Sequence, residues 1–250
     1  MKTVATCMQC FAVTGQPSFE VFAVDYFDNG TAVIECSAGH RTAIVLQSQK
    51  FEMLLESGAM ALLEGFTLEA CASFAAALER FYEFALRVAF HNRKMPDGLY
   101  DKMFAEMARQ SERQAGAFML MYALDFESVY KLKPSIATFR NAVIHKGTIP
   151  TVKEAHAFCS DVYEIIYNLS NTFGAKYPDA IQSVVREDLI KRHGHIPNGM
   201  LTSTCSSGAF FKLVNSENAP SLDAALDSLS KYRDMIRGLP SGSGGTIEHA

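Results

Sequence analysis

The feature that most constrains this chain lies near its N-terminus, where two pairs of metal-binding side chains stand at short spacing. Two residues separate Cys7 from Cys10, and three separate Cys36 from His40. Two such pairs, each on a tight turn and joined by a hairpin, can converge on the tetrahedron that zinc demands. The residues between them read as β. Phe19 to Phe27 is rich in β-branched and aromatic residues, Asp28-Asn29-Gly30 is a tight-turn signal, and Thr31 to Cys36 is the return strand. A second turn at Ser37 to His40 leads to a third strand over Arg41 to Gln47. Residues 1–47 are therefore expected to form a small β meander, with too little apolar surface to hold together without a clip.

Three thiolates and one imidazole make a closed set, so the expectation is one structural zinc per chain, held by Cys7, Cys10, Cys36 and His40. The spacing resembles a zinc ribbon. No open position or neighbouring Glu base suggests a catalytic metal. The reading needs reduced thiols. The N-terminus carries no apolar leader, and no stretch approaches the ~20 apolar residues that span a bilayer. A cytoplasmic protein without disulfides or membrane contact is expected. Cys71, Cys159 and Cys205 stand in apolar or Ser-rich settings and read as buried small residues.

From about Lys50 the pattern becomes helical. Phe51, Leu54, Leu55, Met60, Leu62 and Leu63 mark a short helix that Gly65 ends. Thr67 is a plausible N-cap for a long helix to about Asn92. Pro96-Asp97-Gly98 is a turn, and a second long helix is predicted from Leu99 to about Lys131. Pro134 opens a third, to about His145. A fourth runs from Thr151 to Phe173, where Gly174 ends it, and a fifth spans Asp179 to Lys191. Beyond His195 the signal weakens to a Ser-, Asn- and Gly-rich stretch, an apolar island at Phe210 to Val214, a short helix over Ser221 to Arg237 and a Ser/Gly tail. The predicted organisation is a β module (1–47), a helical domain (48–195) and a partly disordered extension (196–250).

The sharpest chemical signal is Phe139-Arg140-Asn141-Ala142-Val143-Ile144-His145-Lys146-Gly147. On a helix Asn141 and His145 share a face, four residues apart. Arg140 and His145 lie roughly 140° apart around the axis at ~3.6 residues per turn. They converge only where the helix end unwinds or the Arg bends back. Ile136, Phe139 and Val143 form the stripe that seats the helix. These residue types suit phosphodiester cleavage in RNA. His145 can move protons to or from the reacting oxygens. Arg140 can hold the phosphate with forked donors, and Asn141 can orient the His or a phosphate oxygen.

Arg140 to His145 resembles the Arg-x(4–6)-His signature of the HEPN superfamily, with a polar residue directly after the Arg. Lys146-Gly147, then Ile149-Pro150-Thr151 and a helix, and the long helix containing Ser73 to Phe84, are similar to the same family. The likeness covers roughly residues 66–175. It implies an up-and-down four-helix bundle that dimerises, with two Arg-His motifs facing each other in one composite, metal-independent RNA-cleaving cleft. It implies an endoribonuclease leaving cyclic-phosphate ends, and a toxin or antiviral effector acting on RNA. An acidic residue from an earlier helix often supports the motif; Glu79 is the first candidate and Glu83 the second. Lys146 and Glu83 are the residues expected nearest to RNA.

The net charge of −4 says that any nucleic-acid contact is local rather than a bulk basic field. The basic run from Arg186 to His195 fits the charged end of a surface helix, or a phosphate contact. Some HEPN-like domains only bind nucleotides or partners. The alternative reading is thus a non-catalytic regulator that binds RNA, nucleotide or a trigger protein and carries a structural zinc.

Overall fold

A computed structural model describes residues 2–24, 29–96, 98–108, 110–206, 210–211, 213 and 221–245. Asp25 to Asp28, expected as a strand end and turn, and Asp97 of the Pro-Asp-Gly turn lie outside the described residues. So do most of the apolar island after Phe211 and the last five residues of the tail. The molecule is mainly helical with a small β region. It resolves into two compact units, each assembled from separated stretches: residues 1–49, 185–209 and 227–250, and residues 50–184 and 210–226. The three consecutive segments expected from sequence are therefore interleaved.

The first unit is built on one mixed sheet. Its strands are β1 (Lys2–Thr6), β2 (Phe19–Ala23), β3 (Thr31–Glu35), β4 (Arg41–Leu46), β5 (Thr202–Cys205) and β6 (Ser241–Gly245). Their order is β1-β2-β6-β3-β4-β5. The expected β3–β4 hairpin is present, with Thr31 opposite Val45 and Glu35 opposite Arg41. Two features differ from a three-stranded meander. A helix, α1 (Met8–Thr14), begins directly after β1, with the Cys7 sulfur at its N-cap and Gly15 in the left-handed conformation at its end. The late strands then complete the sheet: β5 runs parallel to β4, and β6 fits between β2 and β3. This is how a short N-terminal module acquires a core. Thr42 to Leu46 are all buried, so both faces of β4 are covered. Arg192 ties the unit together by donating to the carbonyls of Leu46 and Ser48.

The second unit is helical. It contains α2 (Lys50–Leu63), α3 (Thr67–Asn92), α4 (Leu99–Met107), α5 (Ser111–Phe126), α6 (Pro134–Lys146) and α7 (Val152–Lys176). After α7 the chain continues as α8 (Pro178–His193), and α9 (Leu222–Arg237) follows β5. The central element is α3, which packs against α2, α5, α6 and α7. Its buried residues Ala70, Phe74, Ala77, Leu78, Phe81, Ala85 and Val88 recur at three- and four-residue intervals. Gly58 lets α2 approach closely, since a Cβ there would sit 2.5 Å from the Phe74 ring. An aromatic cluster fills the centre: Phe51 meets Phe81 edge-on at 5.2 Å, and Tyr82 stacks on Phe118 at 4.5 Å.

Three helix boundaries depart from expectation for local reasons. Thr67 does not cap α3; its hydroxyl donates to the carbonyl of Pro150 at 2.8 Å. The predicted helix from Leu99 to Lys131 is two helices. Gln110 is extended (φ −143°, ψ 118°), and Gln114 and Arg113 fold back to donate to the carbonyls of Ala108 and Glu106 at the end of α4. Glu127, with φ 49°, ends α5. Gly174 lies inside α7, which ends at Pro178 instead, because a proline disfavours helical backbone just before it. The start of α7 is a full capping box between Thr151 and Glu154. No helix among the described residues is long and apolar enough to cross a membrane.

Candidate functional site

Two sites emerge, one in each unit. In the first, Cys7, Cys10, Cys36 and His40 come together, with one ligand atom from each lying within 4.8 Å of all the others. The Cys10 sulfur is 3.8 Å from that of Cys36 and 3.2 Å from His40 Nδ1. Zinc–sulfur bonds of ~2.3 Å in a tetrahedron set sulfur–sulfur edges near ~3.8 Å, so the group fits a metal ion of that kind. The local folding explains the convergence. Cys7 and Cys10 occupy the first turn of α1, where the Cys10 amide donates to the Cys7 sulfur at 3.5 Å. This differs from the expected zinc-ribbon arrangement, in which the first pair would sit on a turn between strands. Cys36 and His40 flank a tight turn in which the Cys36 amide donates to the His40 carbonyl.

The surroundings support the four ligands. Thr42 donates its hydroxyl to the Cys7 sulfur at 3.6 Å. The buried carboxylate of Glu20 accepts from the amide and hydroxyl of Ser37, fixing the turn that carries Cys36 and His40. Burial pushes the Cys7 thiol up, but donors from Cys10, Thr42 and the other thiols outweigh it and bring it down to about 7. Burial, Cys7 and Cys36 push Cys10 up to about 11. Negative charge thus collects on part of the cluster, and a bound cation would allow all three sulfurs to be thiolates together.

The second site is a cleft of about 190 Å³ among α3, α5, α6 and α7. Arg140 stands at its polar edge. Its Nη2 pairs with Glu79 and donates to Ser111 Oγ at 3.0 Å, while Nη1 reaches Asn141 Oδ1 at 3.4 Å. Arg140 and Glu79 are partly buried, with side-chain exposures of 20% and 25%. The walls are largely apolar and include Leu78, Tyr82, Ile136 and Phe158.

The structure thus brings Arg140, Asn141 and Glu79 together. It places His145 apart from them. His145 and Lys146 lie exposed in the last turn of α6 and do not line the cleft; Gly147, with φ 65°, closes that helix. Among the described residues His145 has no hydrogen bond or ion pair. Glu83 points to a different partner: it pairs with Arg80 at 2.7 Å, and Arg80 also donates to the buried Gln114. Ser111 carries no signal in the sequence as a site residue, because no Gly or Pro marks the break before α5 that positions it. The role of Glu20 was hidden inside a strand pattern. Cys71 and Cys159 are buried, as their settings suggested.

Comparison with protein-family models, with curated proteins and with solved structures gave no match.

Proposed function

We propose that the chain is a metal-independent endoribonuclease of the HEPN type, whose helical unit supplies the reaction and whose Cys/His cluster holds a structural zinc. The observation that carries this reading is the Glu79–Arg140 pair: an acidic residue from an earlier helix holds the motif Arg at the edge of a cleft, beside Asn141. In the proposed reaction the 2′-oxygen of a ribose attacks the adjacent phosphorus, and the bond to the 5′-oxygen breaks. A base takes the 2′-hydroxyl proton and an acid delivers one to the 5′-oxygen, leaving a 2′,3′-cyclic phosphate and a 5′-hydroxyl. His145 fills these proton-transfer roles, one His145 from each of two copies, which accounts for its exposure in a single chain. Arg140 stabilises the charge that builds on the phosphate, and Glu79 and Ser111 keep its guanidinium in place. A toxic or antiviral role would follow from unrestrained cutting.

The position of His145 outside the cleft favours a second reading, in which the helical unit binds RNA or a nucleotide and does no chemistry. One experiment separates them. The parent chain and its His145→Ala variant are incubated with mixed tRNA and mRNA in magnesium-free buffer. Cleavage by the parent alone, with cyclic-phosphate ends, is the expected result; RNA left intact by both overturns the enzymatic reading. Light scattering showing a monomer would remove the composite site. One zinc per chain by elemental analysis is the expected result for the cluster, and a folded chain without metal overturns it.

A further inference from the structure

We infer that the cleft beside Arg140 seats a single guanine base of RNA, with its two adjacent N–H donors turned to the carboxylate of Glu79; the inference rests on the reading of this cleft as an RNA site. The volume sets the scale. About 190 Å³ is below the ~300–1,000 Å³ of pockets that enclose whole small ligands, and suits one base with its sugar and phosphate left outside. The walls suit a flat ring. Tyr82 and Phe158 both line the cleft, and each is fixed by a stacking partner, Tyr82 on Phe118 at 4.5 Å and Phe158 on Phe139 at 4.9 Å. The Tyr82 hydroxyl is engaged with that of Tyr130 at 2.9 Å, so Tyr82 serves the cleft as an apolar ring.

The polar edge then chooses among bases. Two carboxylates, Glu79 and Glu112, and one guanidinium, Arg140, line the cleft. Acceptors therefore outnumber cations, which disfavours a phosphate inside and favours a ligand edge rich in N–H groups. One oxygen of Glu79 is taken by Arg140, and the other has no hydrogen bond among the described residues. Among the four RNA bases, guanine alone sets a ring N–H beside an exocyclic amino group, so that one donor meets the free oxygen of Glu79 and the other shares the oxygen that Arg140 also touches, since each carboxylate oxygen accepts two hydrogen bonds. Adenine and cytosine offer an amino group next to an acceptor, and uracil a single N–H between two carbonyls. The guanine carbonyl next to those donors would face the amide N–H groups of Asn141. The phosphate would lie at the mouth, against the outward N–H groups of Arg140.

The test is calorimetric titration of the full-length His145→Ala chain with the 3′-monophosphates of guanosine, adenosine, cytidine and uridine. Guanosine 3′-monophosphate is expected to bind at least about tenfold more tightly than the others, the range of one bidentate base contact. Glu79→Gln presents an amide donor against a donor and should erase that margin. Because Glu79→Gln also removes the partner of Arg140, Ala137→Phe is the second variant. It fills the cleft and leaves the polar edge unchanged, and it should abolish binding of all four. Equal affinities, or a guanosine margin that survives either substitution, overturn the proposal. Failure of the ribonuclease reading looks different. Selective guanosine binding by a parent that cuts no RNA keeps the base site and removes the enzyme; cutting without preference for guanine does the reverse.

Discussion

The two sites of this chain are built on opposite plans. The Cys/His cluster is closed: its four ligand atoms lie within 4.8 Å of one another, and Cys7 and Cys36 are buried. The Arg140 cleft is open. Arg140 and Glu79 are only partly covered and Asn141 is exposed, while His145 lies exposed outside the cleft. A closed polar cluster is part of what holds its own fold together, while an open one can lose a residue and keep the fold. The difference tells which residues should report on stability and which on chemistry.

The strongest way to break this comparison is to open the closed site. Structural zinc is worth ~10–16 kcal/mol, as much as the ~5–15 kcal/mol net stability of an ordinary domain. If the cluster holds zinc as proposed, Cys36→Ser should lose it together with the protection of amides in β3 and β4 against hydrogen exchange; unchanged protection would place the cluster outside the stability of the sheet. The open site should behave in the opposite way. On the proposed ribonuclease reading, His145→Ala should lower RNA cleavage by ~10²–10⁴-fold, and it should move the unfolding free energy by no more than about 0.5 kcal/mol. A large loss of stability in a chemical melt would contradict the exposure of His145.

A buried carboxyl sharpens the contrast from inside the helical unit. Glu56 on α2 is buried, one of its oxygens has no hydrogen bond, and burial, with the neighbouring charge of Glu52, pushes it up to about 8 from 4.5. The folded chain then keeps a proton that the unfolded chain releases above its ordinary value. Stability should fall as pH rises from about 4.5 to about 8. Glu56→Gln should flatten that dependence and stabilise the chain at pH 8 by roughly 1–3 kcal/mol. Urea unfolding of both chains at the two ends of that range is the check, and parallel curves would refute it. The smallest effect belongs to Ser111→Ala. It removes one acceptor from a partly exposed Arg140 and should cost about 1 kcal/mol or less in a thermal melt, with cleavage reduced far less than by His145→Ala.

How much of this was legible in the sequence follows the same division. The four candidate metal ligands could be read from spacing, because each pair sits within one local turn; the hairpin expected between the pairs is absent among the described residues, since β6 lies between β2 and β3. Arg140 and Asn141 were legible as a motif, and Glu79 as one of two acidic candidates on a helix. What selected Glu79 over Glu83 was the packing of α3 against α6, which no local pattern contains. Ser111 was hidden because the break between α4 and α5 depends on Gln114 and Arg113 reaching back to α4 carbonyls. The completed sheet was hidden for a related reason. Strand β6 is Ser-Gly-Ser-Gly-Gly, a composition that reads as a flexible tail, and only pairing with β2 and β3 makes it a strand.

The position of β6 has a consequence for the chain during its synthesis. The two strands that flank it leave the ribosome early, and the segment that joins them arrives some 200 residues later. At ~5–20 residues per second, β2 and β3 wait roughly 10–40 s with an unpaired edge each. Residues 7–40 are complete throughout that interval. A metal ion captured by the first ligands would hold the nascent hairpin in register while its missing neighbour is still being made.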